Sequence, residues 1–322
     1  MTSFTMKTKV LRFGIDYLQL NLCKGFRGNT FSYLFEGFSD NSNQKYDVEF
    51  LGRKYDLSYI ENRQQKQIFF SCGRYNVFRL AKNLDMGISG SVPYVFTFYG
   101  TYFYLYELED VIIKFLKMYG EYLIVSRLDI CLDVNVKVDT LWKWKRTQFR
   151  KNNVVRDGKR FESFYLGKKG NNKKYFIRVY DKKIEMKSKC KFMLTPEYLK
   201  EPVVTRIEPE IHTMTCGVLG ITPQKLLKYC ECRLSGDESG LHGLEEWFAS
   251  LCMNNRGTYF YSLRGLSIST AKRLTTAKFT GRSKEIEKTR YVKTMLSYAK
   301  RLHESGFDVI GFLTENLPTC PI

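Results

Sequence analysis

The sequence predicts an α+β protein, an antiparallel-rich sheet with packed helices followed by a smaller, mainly helical domain. Two observations lead there. Alternation of apolar and polar residues with period 2 recurs up to about residue 212, the mark of strands with one dry face. Beyond that point the apolar spacing becomes helical and helix start and stop signals appear. The division falls at 218/219, giving a sheet domain over 1–218 and a helical domain over 219–322. A chain of 322 residues, 43% apolar and 15% aromatic, has the means to bury a core in each.

Taken in order, residues 10–22 alternate around FGIDYLQLNL and open the sheet. Residues 46–51, 55–60, 67–73 and 75–81 follow as strands between short glycine or polar turns. Residues 92–106 (VPYVFTFYGTYFYLY) are aromatic throughout and interrupted at Gly100, which predicts a hairpin or a bulged strand. Such aromatics can stack bases, but alternating aromatics in strands more often pack against neighbours. Residues 107–119 form an amphipathic helix, acidic in its first turn and closed by Lys117. A strand over 126–134 comes next. The basic aromatic run 142–153 (WKWKRTQFRKNN) reads equally as a DNA contact or as a solvated face with its tryptophans turned inward. Residues 152–159 read as a loop, 161–166 as a strand, GKKGNNKK as a turn, and 175–183 and 204–212 as two further strands. Thr222 caps a helix with Pro223 at its first position. Helices over 241–253 and from Ser283 to Gly306 complete the chain.

Three of these runs carry reactive side chains on one face. SRLDICLDV aligns Arg127, Asp129, Cys131 and Asp133; YFIRVYDKK aligns Arg178, Tyr180 and Lys182; VTRIEPEIH aligns Arg206, Glu208, Glu210 and His212. Paired in one sheet they bring a phenol, carboxylates and cations to one surface, which calls for a metal, a phosphate or a catalytic step. The alternative is structural: Asp129 and Asp133 paired with Arg127 and Arg206 as an ion network. Pro209 suggests that the last strand lies at an edge or carries a bulge.

Charge names the class of partner. With 52 Lys and Arg against 33 Asp and Glu, the net charge is +19, which points to a polyanion, above all nucleic acid. An acidic membrane surface would call for a basic amphipathic helix with an apolar anchor face, and none stands out. No apolar run approaches the ~18 residues of a transmembrane helix, and the opening residues lack a signal peptide's apolar stretch. Nine cysteines scattered through apolar runs predict reduced thiols and a cytoplasmic location. Cys230 and Cys232 are too close for a zinc knuckle and have no second pair. GKKGNNKK lacks the ending of a phosphate-binding loop, but its Lys168, Lys169, Lys173 and Lys174 form a basic hairpin tip suited to tracking a phosphate backbone.

RLDICLD, FYLGKKGNNKKYFIRVYDKK and TRIEPEIH together resemble the replication initiation factor family, the trans-acting Rep proteins of rolling-circle plasmids, phages and conjugative elements. The family's Arg-x-Asp-x-x-x-Asp falls on Arg127, Asp129 and Asp133, and its Tyr-x-Gly on Tyr165 and Gly167. Its Arg-x-Tyr-Asp/Glu-Lys falls on Arg178, Tyr180, Asp181 and Lys182, and its Arg-x-Glu on Arg206 and Glu208. Asp16 matches the acid of the opening strand. The block covers roughly residues 120–212, and departs from the pattern in the Lys-rich GKKGNNKK and at Glu210 and His212.

The resemblance implies an enzyme that nicks one strand of single-stranded or melted origin DNA. Tyr180 would attack, leaving a 5′-phosphotyrosyl link and a free 3′-hydroxyl, with later rejoining of the strand. A phenol with a pKa of about 10 needs help at neutral pH, and Arg178, Lys182 and Arg206 are the cations assigned to it. Tyr165 is the alternative nucleophile; Tyr175 falls on the opposite face. Mg²⁺ or Mn²⁺ is implied on Asp129, Asp133 and Glu208, with Glu210 and His212 as a further ligand or base. Among His212, His242 and His303 no two have the His-hydrophobe-His spacing that other initiators use, so the metal site is expected to be carboxylate-based. Arg127, the four hairpin lysines, Arg282 and Lys284 are the expected DNA contacts. A homodimer and a host helicase are implied as partners. A sequence-specific DNA-binding regulator that lacks the chemistry is the competing reading.

Overall fold

The structure is a computed structural model of the chain. It describes residues 8–22, 31–36, 38, 47–84, 93–106, 110–142, 151–157, 160–166, 175–237, 240–252 and 293–315, the last without 294, 295, 298 and 302. The strands are β1 (Val10–Leu22), β2 (Asp47–Phe50), β3 (Arg53–Glu61), β4 (Gln65–Cys72), β5 (Tyr75–Asn83), β6 (Tyr94–Phe98), β7 (Leu123–Val134), β8 (Lys151–Asp157), β9 (Arg160–Leu166), β10 (Tyr175–Asp181) and β11 (Thr205–His212). The helices are α1 (Ser32–Glu36), α2 (Gly100–Tyr106), α3 (Asp110–Tyr119), α4 (Val138–Trp142), α5 (Lys182–Ser188), α6 (Pro196–Lys200), α7 (Thr213–Leu219), α8 (Pro223–Ser235), α9 (Leu241–Cys252) and α10 (Val309–Glu315). The fold is α+β with antiparallel pairing, as the alternation predicts.

Contacts group the chain into two compact units. One comprises Ile15–Asp129 and Gly220–Gly240; the other comprises Met1–Gly14, Ile130–Leu219 and Leu241–Ile322. The grouping changes at 14/15, 129/130, 219/220 and 240/241.

In the first unit the strands run in the order β2-β3-β4-β5-β6-β1. Leu51 and Gly52, with φ of 53° and 84°, make the tight β2–β3 turn, whose left-handed residues match the strand twist. Phe70 and Phe78 stack at 3.9 Å, Phe78 meets Phe98 at 5.7 Å, and Phe115 of α3 meets Phe96 at 4.4 Å. Residues 92–106 are not the expected hairpin or bulged strand. They are β6 followed by α2, with Gly100 at the junction, because a Cβ there would lie 3.1 Å from the Asp16 carbonyl and carboxylate. Their aromatics are core: Phe96, Phe98, Tyr102 and Phe103 are buried. Thr222 does cap α8, accepting from the Lys225 N–H at 3.3 Å with Pro223 at the first helical position.

The second unit holds β7 from Ile130 onward together with β8–β11, in the order β7-β11-β10-β9-β8. Residues 152–159, expected as a loop, belong largely to strand β8. It pairs with β9 through register shifts around Val155 that absorb the Asn-rich start. The strand expected over 175–183 stops at Asp181, whose carboxylate accepts from the Ile184 N–H at 3.0 Å and caps α5. Lys182 is therefore a helix residue and not a third member of the Tyr180 strand face. Pro209 does not mark an edge: β11 lies between β7 and β10, and against β10 there is no bulge, the register running unshifted through Pro209 opposite Ile177. Met186, Tyr198 and Val204 form a small buried cluster with Leu11 packed on it, and Phe13 meets Phe248 of α9 edge-on at 5.5 Å.

The helix expected to end at Gly306 does end there, with Gly306 at φ 74° and its N–H on the His303 carbonyl at 2.7 Å. Residues 143–150 of the basic aromatic run, GKKGNNKK and the region 253–292 lie outside the described residues. Among the described residues no helix is long and apolar enough to cross a membrane.

Candidate functional site

The register of three strands lays out the candidate site. Tyr165 of β9, Arg178 of β10 and Glu208 of β11 form one cross-strand row, and Ser163, Tyr180 and Arg206 form the next on the same side. Directly opposed residues share a face, as do residues two apart along a strand. Tyr165 and Tyr180 are therefore on one face, with Glu210 (opposite Phe176) and His212 further along it. Tyr175, opposite Ile211, belongs to the other face.

Tyr180 donates its phenolic O–H to Glu208 Oε2 at 2.7 Å. Arg178 Nη2 holds Glu208 Oε1, so the two carboxylate oxygens are divided between a phenol and a guanidinium. Glu208 is fully buried, whereas Arg178 keeps 30% of its side chain exposed. A buried carboxylate in hydrogen-bond contact with a phenol is the geometry of a nucleophile and its proton acceptor. Lys182 is placed differently from the sequence reading: its ammonium lies 5.8 Å from the Tyr180 ring centroid and pairs with Glu185 at 2.9 Å. Although burial opposes ionisation of Glu185, Lys182 and Lys189 hold its carboxyl at about 2. Tyr165 contacts Phe176, ring centroids 6.2 Å apart.

Arg206 is the largest fully buried side chain among the described residues, and it serves Asp133. Its Nε reaches Oδ1 and its Nη2 reaches Oδ2, each at 2.6 Å, and Tyr198 of α6 adds its O–H to Oδ2. Asp129 is held by Arg127 in the same two-pronged way, at 2.9 and 2.6 Å, and the Arg127 guanidinium also lies over the Tyr17 ring at 4.3 Å. Glu210 pairs with His212 Nε2 at 2.9 Å.

This geometry does not fit the carboxylate-bound ion expected on Asp129, Asp133 and Glu208. Each of the three carboxylates is buried and neutralised by its own arginine. Asp129 and Asp133 are separated by four residues of strand, a rise of about 13 Å, too great for both to ligate one ion. The structural alternative, an ion network, describes these aspartates as they stand. Arg127, expected on DNA, is committed to Asp129 and Tyr17. Lys168, Lys169, Lys173, Lys174, Arg282 and Lys284 lie outside the described residues.

Sequence reasoning missed Tyr198, which no local signal connects to Asp133. It also missed a cluster of His242, Glu245 and His303, whose ligand atoms lie within 4.8 Å of one another. His242 and Glu245 stand three apart on α9, a spacing that puts both on one helix face. Burial and the neighbouring His242 lower the pKa of His303, against an opposing pull from Asp308.

No family model matches the sequence, and no curated protein matches it. Among solved structures the chain is similar to a rolling circle replication initiator protein from Geobacillus stearothermophilus. The two are 17% identical, the match covers 66% of this chain and 77% of that one, and the TM-score is 0.37.

Proposed function

We propose that this chain is a rolling-circle replication initiator, a DNA nickase and strand transferase in which Tyr180 is the nucleophile and Glu208 accepts its proton. The observation that carries the reading is the 2.7 Å hydrogen bond from Tyr180 to the buried Glu208, with Arg178 on the other carboxylate oxygen and partly open to solvent. The motifs around Arg127, Tyr165, Tyr180 and Arg206 and the net charge of +19 support the same reading from the sequence.

The phenolic proton passes to Glu208, the tyrosyl oxygen bonds to the phosphorus, and the P–O3′ bond breaks. The released 3′ oxygen takes up a proton and leaves as a hydroxyl. Arg178 faces the negative charge that builds on the phosphoryl oxygens. Because the tyrosyl ester preserves a phosphodiester-type bond, attack by a 3′-hydroxyl rejoins the strand without a nucleotide. This assignment moves Glu208 from metal ligand to base. Lys182 and Arg206 act indirectly, the first beside the Tyr180 ring and the second by holding Asp133. The reaction is proposed to require a divalent ion, Mg²⁺ or Mn²⁺, although Asp129, Asp133 and Glu208 do not together fit one ion. Residues 219–322 are proposed to contribute DNA binding or dimerisation, and origin DNA, a second copy and a host helicase are the proposed partners.

One observation favours a non-catalytic DNA-binding regulator: Asp129, Asp133 and Glu208 are each paired with an arginine, as in a purely structural network. A single experiment separates the two. Purified protein is mixed with single-stranded oligonucleotides tiled across the origin of its own element, with Mg²⁺, Mn²⁺ or EDTA, and the products are run on a denaturing gel. A covalent adduct lost in Tyr180→Phe and kept in Tyr165→Phe is the expected result. Loss only in Tyr165→Phe moves the nucleophile to β9. Tight, salt-sensitive binding with no adduct on any oligonucleotide establishes the regulator.

A further inference from the structure

We infer that His242, Glu245 and His303 form a binding site for a zinc-class divalent ion that fastens α9 to the helical residues around His303. The site lies within one unit and owes nothing to the Tyr180 reading.

The distances are those a metal needs. Glu245 Oε2 lies 3.6 Å from His242 Nδ1 and 3.4 Å from His303 Nε2, and the ligand atoms all fall within 4.8 Å. Around a tetrahedral ion with bonds of about 2.1 Å, neighbouring ligand atoms stand about 3.4 Å apart. The two imidazoles face one another closely, with centroids 4.6 Å apart and planes inclined at 40°, so their nitrogens converge without stacking flat.

A second observation points to a ligand. The His303 side chain is only 8% exposed, yet its Nε2 makes no hydrogen bond: Glu245, though 3.4 Å away, is not aligned to accept one. A buried polar atom left unsatisfied costs of the order of 1–3 kcal/mol and calls for an explanation. An ion on Nε2 supplies it. The His303 carbonyl meanwhile takes the Gly306 N–H, which closes the helix just behind the ring and fixes the ligand's place. Asp308 lies close enough to act on His303, but its Oδ1 is engaged by the Gly311 N–H at 2.8 Å as the cap of α10. It is a neighbour of the site rather than a member.

The donor set selects the ion. Two imidazoles and one carboxylate suit zinc and its neighbours and are a poor match for Mg²⁺, which prefers oxygen ligands and several waters. His242, 52% exposed, leaves the fourth position open toward solvent. That position is where water would complete the shell. The ion's role is to tie together two segments far apart in sequence, and its presence is separable from any Mg²⁺ or Mn²⁺ used in nicking.

The test uses the full chain. Protein stripped with a chelator is dialysed against Zn²⁺ or Co²⁺, and bound metal is counted by atomic absorption. The Co²⁺ form is examined for a tetrahedral ligand-field band and for thiolate charge transfer. Wild type is expected to keep one equivalent, show the ligand-field band without the thiolate band, and melt higher with Zn²⁺. Glu245→Gln and His242→Asn, both conservative and at partly exposed positions, should lose at least roughly tenfold in affinity, since even an outer-shell partner is worth that much. Both variants should match the zinc-free wild type in nicking assayed with Mg²⁺ or Mn²⁺. Failure of wild type to retain Zn²⁺, equal retention by both variants, or a thiolate band that places the ion on cysteines would each overturn the site.

Discussion

Replacing Arg206 with methionine tests the electrostatic centre of the sheet. Arg206 and Asp133 are both fully buried and are joined by two hydrogen bonds of 2.6 Å. Without the guanidinium the Asp133 carboxylate retains the Tyr198 hydroxyl as a donor but no charge to balance it. Removing one partner of a buried pair costs about 3–5 kcal/mol, because the survivor stays desolvated. For a unit of roughly 150–250 residues each kcal/mol shifts the melting temperature by about 2–4 °C, so the variant should melt about 6–20 °C lower. The double variant Arg206→Met/Asp133→Leu should recover most of that loss, since apolar side chains of similar volume replace such pairs at little cost. Thermal and urea unfolding followed by circular dichroism read both quantities. A loss under about 1 kcal/mol in Arg206→Met, or a double variant as damaged as the two singles summed, would refute the claim that desolvation dominates here.

Three further outcomes are expected. Glu208→Gln should retain the fold but slow adduct formation by about 10²–10⁴-fold, the usual worth of a positioned base; unchanged rates would remove Glu208 from the chemistry. Glu185, held at about 2 by Lys182 and Lys189 against its burial, has a folded pKa below its unfolded one, so its stabilisation is complete above about pH 4.5 and fades as pH falls toward 2. Glu185→Gln should flatten that limb of the acid titration by about 2–3 kcal/mol, and an unchanged limb would mean that the pairs are solvated. Among the described cysteines, exposed Cys72 and Cys190 should react with a thiol reagent at pH 8 well before Cys230 and Cys252. Burial pushes the Cys230 thiol up to about 12 and the Cys252 thiol upward as well. Equal rates would show that the helices carrying the two buried thiols open readily.

What the sequence disclosed depended on how local each cause was. Strands such as Thr205–His212 were legible because their alternation is written in adjacent residues. The stop at Asp181 was also written locally, as a capping residue, but the apolar alternation ran on through Lys182 and masked it. The helix after Gly100 was not legible, because what bars a side chain there is Asp16, on another strand. At the candidate site the residue types and their shared face were legible from alternation alone. The partners were not: that Arg206 serves Asp133 while Arg178 serves Glu208 follows from strand register, which no single run contains. The His242–Glu245 spacing was visible, and His303 was not, because only tertiary packing brings it there.

The way the chain is divided constrains how it can be made and cut. One unit is assembled from Met1–Gly14, Ile130–Leu219 and Leu241–Ile322, and the other is threaded between those pieces as Ile15–Asp129 and Gly220–Gly240. During synthesis the unit that ends in Leu241–Ile322 waits for that last segment, so the meander from Asp47 to Phe98 in the other unit has the earlier opportunity to fold. For the same reason a fragment ending at residue 218 is missing pieces of both units. Proteolytic nicks, which leave every segment present, are a sounder way to probe independence here than deletion.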